Sequence, residues 1–218
     1  MSMKQILFNT EMVRAILDGR KSCTRRIVKH DVKAILNSPY HKEHPEVEDK
    51  QIISKLCMPP YQIGDILYVR ETWCKGLERY IYRADYSDTE KFYQGGKEIE
   101  MKWHPSIHMP KEAARIWLKV TDVRVERLQD ITEDETFEEG LDFTPPCLHL
   151  TGENYCDIDG PCTSKIKYCD MSSGELFGEV LWNPTIKKSD LDRNGWNANP
   201  WVWVIEFERC DKPENEGN

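Results

Sequence analysis

The closing segment, Pro200 to Arg209, carries its large apolar side chains at alternate positions, with Trp201, Trp203, Ile205 and Phe207 sharing one face. A period of two over ten residues is the signature of a strand buried on one side, and three large aromatic rings demand a deep layer beneath it. A second β-rich run, Ile116 to Arg127, carries Ile116, Leu118 and Val120 in the same way. Two long strands cannot stand alone, so the rest of the chain must complete a sheet around them. Shorter pieces serve: Ile6-Leu7-Phe8 reads as an edge strand, Ile66 to Glu71 as a strand after the turn Pro60-Tyr61-Gln62-Ile63-Gly64-Asp65, and Tyr80 to Ala84 as another. There is no strand-helix-strand rhythm and no glycine-rich strand-to-helix turn, which excludes a Rossmann arrangement. The expected class is α+β, a small mixed β-barrel with flanking helices.

Helices fit between these strands. Thr10 reads as an N-cap, Glu11 to Asp18 as a helix with Val13, Ile16 and Leu17 on one face, and Gly19 as its terminator. Thr132 and Glu135 form a capping box opening a short acidic helix that ends at Gly140, and Glu175 to Trp182 reads as a third helix. Residues 31–60 hold weak periodicity and read as an excursion with one short helix; residues 142–173 form a polar, cysteine-rich insertion. The organisation is one domain over residues 1–210 with those two insertions, and a disordered tail at 211–218.

Between the first helix and the following segment stands Gly19-Arg20-Lys21-Ser22-Cys23-Thr24-Arg25-Arg26. From Arg14 to Lys33 there are seven basic side chains and two acidic ones, in a chain whose formal charge is −8. Such a balance does not suit non-specific binding of duplex DNA, which needs many cationic phosphate contacts, but it leaves a local basic site for a small ligand or single nucleic-acid end. On chemistry alone Lys21 can serve as a base and Thr24 as a nucleophile; equally, the basic residues can simply sit at a helix C-terminus facing the dipole and solvent. The eight Asp and Glu residues from Glu126 to Asp142 read as a solvated acidic face.

The spacing Gly19-x-Lys21-x-x-Thr24-x-Arg26 resembles the signature of the ASCH (activating-signal-cointegrator homology) domain, within the PUA-like superfamily. Pro60-Tyr61-Gln62-x-Gly64-Asp65, Val69-Arg70-Glu71-Thr72-Trp73, Trp103 to Pro110 and Asn199 to Phe207 are similar to phage and prophage members of that group. The resemblance spans most of the chain apart from the cysteine-rich insertion. It implies a PUA-like barrel with a cleft beside the signature loop, binding a nucleobase, nucleoside or RNA. It further implies hydrolysis of the amide of an acylated cytidine such as N4-acetylcytidine, with Lys21 as base, Thr24 as nucleophile and Glu71 orienting Lys21 or the substrate amine. A non-catalytic RNA-binding module in phage or host regulation is the alternative.

Substrate contacts are expected from Arg25 and Arg26. Trp73 either stacks on a base or is ordinary core, and Glu71 has an ordinary salt bridge as its competing role. Trp103 and His108, in a proline-flanked loop, are expected on one wall of the cleft. Catalysis needs no cofactor in this reading. No run of 18 apolar residues and no leader segment occurs in the sequence, so the expectation is a cytoplasmic protein that does not engage membranes. In a reducing compartment its eight cysteines are free thiols or metal ligands before they are disulfides. Cys147, Cys156, Cys162 and Cys169 are the candidate ligands of a structural zinc, although they lack a Cys-x-x-Cys knuckle.

Overall fold

The computed structural model describes residues 3–76, 79–141 and 171–213. In chain order the main elements are β1 (Met3–Leu7), α1 (Thr10–Leu17), β2 (Cys23–Ile27), α2 (Val32–Leu36), α3 (Pro39–Glu43), α4 (Asp49–Leu56) and β3 (Ile66–Arg70). Two hairpins follow, β4 (Trp73–Lys75) with β5 (Tyr80–Tyr82) and β6 (Phe92–Gln94) with β7 (Lys97–Ile99). The remainder is β8 (Trp117–Arg127), α5 (Glu133–Glu138), α6 (Ser173–Phe177), α7 (Leu191–Asn194) and β9 (Trp201–Cys210). The class is α+β.

The central sheet has the order β1-β3-β8-β9-β2, with β1 parallel to β3 and the other pairs antiparallel. It is open, not the closed barrel expected from the sequence. Among the described residues β1 and β2 are its two edges and share no backbone ladder. What spans the seam is a side chain: Arg26 Nη2 donates to the Leu7 carbonyl at 3.4 Å, and its guanidinium lies 5.5 Å from the Phe8 ring centroid. A guanidinium wedged where two strands would have to meet at their usual ~4.8 Å spacing keeps the sheet from closing.

β9 is the axis of the core, as its alternation demands. Trp203, Ile205 and Phe207 join Ile6, Val13, Ile16, Leu67 and Leu118 on one face. Val202 and Val204 meet Leu128, Leu176, Phe177 and Trp182 on the other. Both faces are therefore covered, and β2, paired to β9 from Cys23↔Glu206 to Ile27↔Val202, inherits that two-sided environment.

Local corrections have simple causes. The N-cap of α1 is Asn9, whose Oδ1 accepts from the Met12 amide at 2.8 Å, so Thr10 becomes the first helical residue. Residues 31–60 hold three short helices instead of one. Asp31 caps α2, and Ser38 caps α3 with Pro39 in its first turn. Two of the three are five residues long, below the length at which apolar periodicity can be read. The Glu175 to Trp182 helix is α6 followed by a wide π-helical turn from Gly178 to Trp182. A Cβ on Gly178 would stand 2.4 Å from Trp196 Cγ, so the indole packs directly on the backbone there.

Candidate functional site

The signature residues do not form a loop. Gly19, with φ at +77°, ends α1, and the Arg20 and Lys21 amides both return to the Ala15 carbonyl. The Ser22 amide then donates to the Glu138 carbonyl at the end of α5, after which the chain enters β2. Alternation sorts β2 into two sets. Thr24 and Arg26 lie on the side shared with Ile205 and Trp203, while Cys23 and Arg25 lie on the side of Glu206 and Val204.

On the Arg25 side the acidic helix closes over the strand. Lys21 Nζ is fully enclosed and uses all three of its donors: the Glu139 carboxylate at 2.7 Å and the Glu139 and Cys23 carbonyls, both at 2.8 Å. Arg25 bonds Glu139 at 3.3 Å and Glu135 at 2.9 Å. Arg124 extends the chain of charges to Glu135, Glu126 and Glu206. The carboxylate beside Lys21 is thus Glu139, 3% exposed, and three of the residues read as a solvated acidic face (Glu126, Glu135 and Glu139) are counter-ions of the signature strand. Gly140 permits this contact: its φ is +89°, and a Cβ there would lie 2.8 Å from that of Ala15 and 3.4 Å from that of Lys21. The sequence signal pointing to Glu139 is its spacing four residues after Glu135 at the end of one capped helix; it can be used only once β2 is known to bury Arg25 opposite that helix.

The network carries two titration consequences. Burial, reinforced by Glu139, pushes the Cys23 thiol far up, so it is inert as a nucleophile at neutral pH. For Glu135, burial favours the neutral acid, but the Thr132 amide, Arg25 and Arg124 outweigh it and hold the carboxyl below its ordinary 4.5. A depressed folded-state value adds stability above pH 4.5 that disappears as pH falls through the lowered value. Thermal midpoints measured from pH 7 to pH 3 should fall below about pH 4.5, and Glu135→Gln should flatten that fall.

Along the free edge of β2, taking in residues from both of its faces, lies a cleft of about 690 Å³, within the range of small-molecule sites. Thr24, Arg25, Arg26 and Glu139 supply its polar floor. Leu7, Met12, Met58 and Tyr61 form one wall; Phe177, Leu181, Trp182 and Ile186, delivered by α6 and the π turn, form the other. Trp203 closes the back, and Lys29 and His30 stand exposed at the mouth. Arg26 Nη1 donates to Thr24 Oγ1 at 2.7 Å and to the Arg25 carbonyl at 2.9 Å. Burial presses the Arg26 guanidinium towards lower pKa, opposed by Tyr61 and Glu139.

The remaining expected site residues lie outside the cleft lining. Glu71, 1% exposed, is held in a two-point bond by Arg115 at 2.9 and 3.0 Å, and Arg115 also bonds Asp85 and stacks 4.0 Å over Tyr82. Trp73 packs against Tyr80 and His104, and Trp103 against Tyr86, Phe92 and Arg83. His108 is exposed in a short turn beside buried Met109. The segment from Trp103 to Pro110 contributes no wall to the cleft. Cys147, Cys156, Cys162 and Cys169 lie outside the described residues. Among the described residues no group of three or more His, Cys, Asp or Glu is placed to hold a metal ion, Cys23, Cys57, Cys74 and Cys210 are free thiols, and no helix is long and apolar enough to cross a membrane.

What fold and site define together is an open α+β sheet with an aromatic cleft at its seam, floored by a hydroxyl, two guanidiniums and a carboxylate. Comparison of the chain with protein-family models, with curated proteins and with solved structures found no match to any of the three.

Proposed function

We propose that the cleft binds a pyrimidine nucleoside bearing an acylated exocyclic amine, and that the protein hydrolyses that amide. The observation carrying this reading is Thr24: though only 1% exposed it lines an aromatic cleft, and its Oγ1 accepts from Arg26 Nη1. The Thr24 oxygen attacks the acyl carbon, the C–N bond breaks, and the amine departs with a proton; water then hydrolyses the threonine ester. Arg26, already on Oγ1, is the nearest cation to the acyl oxygen, on which negative charge develops during attack. Glu139 is the acid–base group: it lines the cleft, and its carboxylate takes the proton from Thr24 and returns it to the departing amine. Lys21 does not line the cleft; with all three of its protons donated, it acts by holding Glu139 in place. Glu139 takes the place that the sequence resemblance assigned to Glu71. Tyr61, Phe177, Trp182 and Trp203 suit a planar base. Two of the signature residues, Thr24 and Arg26, line the cleft, which is the feature that supports an ASCH-type reading; the open sheet is not the barrel that reading implies.

Incubation with N4-acetylcytidine tests this directly. Cytidine and acetate are expected from the wild-type protein and from Thr24→Ser, with turnover at least about a thousandfold lower in Thr24→Val. Binding of cytidine without any turnover would instead mark a non-catalytic nucleoside- or RNA-binding module.

A further inference from the structure

The basic cluster from Arg14 to Lys33 is divided by the fold into two kinds of cation. Arg14 is neutralised by Glu11 and Asp88, Arg20 by Asp18, Lys21 by Glu139, and Arg25 by Glu135 and Glu139. Arg26, Lys29 and Lys33 have no carboxylate among the described residues, and two of these three, Arg26 and Lys29, line the cleft. His30, next to Lys29 and also exposed in the lining, has no side-chain partner among the described residues. Arg26 is satisfied by neutral oxygens at the reacting end, where charge develops only transiently. Lys29 and His30 are exposed, with no counter-charge among the described residues.

This polarity selects a ligand. The proposed nucleoside places its exocyclic amide at Thr24 and its sugar towards the opening. From Thr24 to Lys29 the extended chain runs roughly 16 Å at ~3.3 Å per residue, and the ladder continues past β2, the Val28 amide donating to the Trp201 carbonyl. That separation puts Lys29, an exposed member of the cleft lining, nearer the sugar than the base of a ligand whose amide lies at Thr24. We infer that the ligand carries a phosphate on its ribose, which Lys29 and His30 bind at the mouth, so that the substrate is a nucleotide or a phosphorylated RNA end and not a free nucleoside. This rests on the nucleoside reading of the same cleft. An ammonium and an imidazole donor together give the anion charge-assisted hydrogen bonds, and their exposure lets a chain longer than one nucleotide leave the cleft unhindered.

Tryptophan fluorescence titration reads occupancy, since Trp182 and Trp203 line the cleft. Cytidine, cytidine 5′-monophosphate, inorganic phosphate and a five-nucleotide RNA with a 5′-terminal phosphate are compared at low and physiological salt. The nucleotide should bind about tenfold or more tighter than cytidine, with the preference shrinking as salt rises. The double variant Lys29→Gln/His30→Gln should bring the nucleotide down to the affinity of cytidine while cytidine itself binds unchanged; both side chains are exposed and unpartnered, so the fold is not at risk. RNA binding at least as tightly as the mononucleotide identifies an RNA end as the source of the phosphate, and weaker RNA binding identifies the free nucleotide. Equal affinity for cytidine and nucleotide, or a preference that survives the double variant, overturns the phosphate site and leaves the nucleoside reading standing. Failure of both cytidine and nucleotide to bind overturns the two together.

Discussion

Glu139→Ala should destabilise the protein by about 3–5 kcal/mol, the cost of stranding a buried charge whose partner has been removed. Glu139 is the only carboxylate that Lys21 reaches among the described residues, and Lys21 has no exposed surface through which water can replace it. Arg25 fares better because Glu135 remains at 2.9 Å. Lys21→Met should cost a similar amount for the mirrored reason, with Glu139 left to Arg25 alone at 3.3 Å. The double substitution Lys21→Met/Glu139→Leu should recover much of the loss, because apolar side chains of similar volume often replace a buried pair at little cost. Denaturant midpoints of the four proteins close the cycle. Additive losses would sink the idea that the two form one enclosed unit. The experiment also governs how activity data are read: a Lys21 variant that fails to turn over substrate says nothing about catalysis until its folded fraction is known.

Glu71→Gln should behave in the opposite way at the cleft. Glu71 is buried, but Arg115 is 28% exposed and keeps Asp85, so the loss should be about 2–3 kcal/mol, below that of a fully enclosed pair. Ligand affinity and turnover of the folded fraction should be unchanged, because Glu71 lies outside the lining and bonds elsewhere. Glu139→Gln, assayed alongside, should lose turnover. Loss of activity in Glu71→Gln with the fold intact would restore Glu71 to the catalytic role that its place after Val69-Arg70 first suggested.

These two glutamates show what could be read from the chain alone. The long strands β8 and β9, the capping box of α5 and the terminating Gly19 were legible because each is a local pattern with its own physical rule. Lys21, Thr24 and Arg26 were legible as a spacing, and Thr24 and Arg26 do meet in one cleft. That Cys23-Thr24-Arg25-Arg26-Ile27 is a strand was not legible. Two adjacent arginines read as solvated chain; what buries them is counter-ions more than a hundred residues away for Arg25 and neutral oxygens for Arg26. Choosing Glu71 over Glu139 has the same root. A stretch of chain with eight acids, four of them on α5, looks like surface until the cations it must neutralise are seen across from it. The open seam was illegible for a related reason, since closure of a barrel depends on whether two distant edges meet, and here a guanidinium stands between them.

The cleft's walls come from widely separated stretches of chain: residues 7–30, 58–61, 139, 177–186 and 203. No local segment can hold the ligand by itself, so the binding-competent state and the folded state are the same state. Any occupant therefore draws the folding equilibrium towards the native form, by about 2.7 kcal/mol at a hundredfold excess over its dissociation constant. For a small α+β protein that is a rise of several degrees in the melting midpoint. The open seam makes the molecule its own reporter: a panel of modified nucleosides and nucleotides screened by melting temperature alone would rank the candidates before any chemistry is assayed.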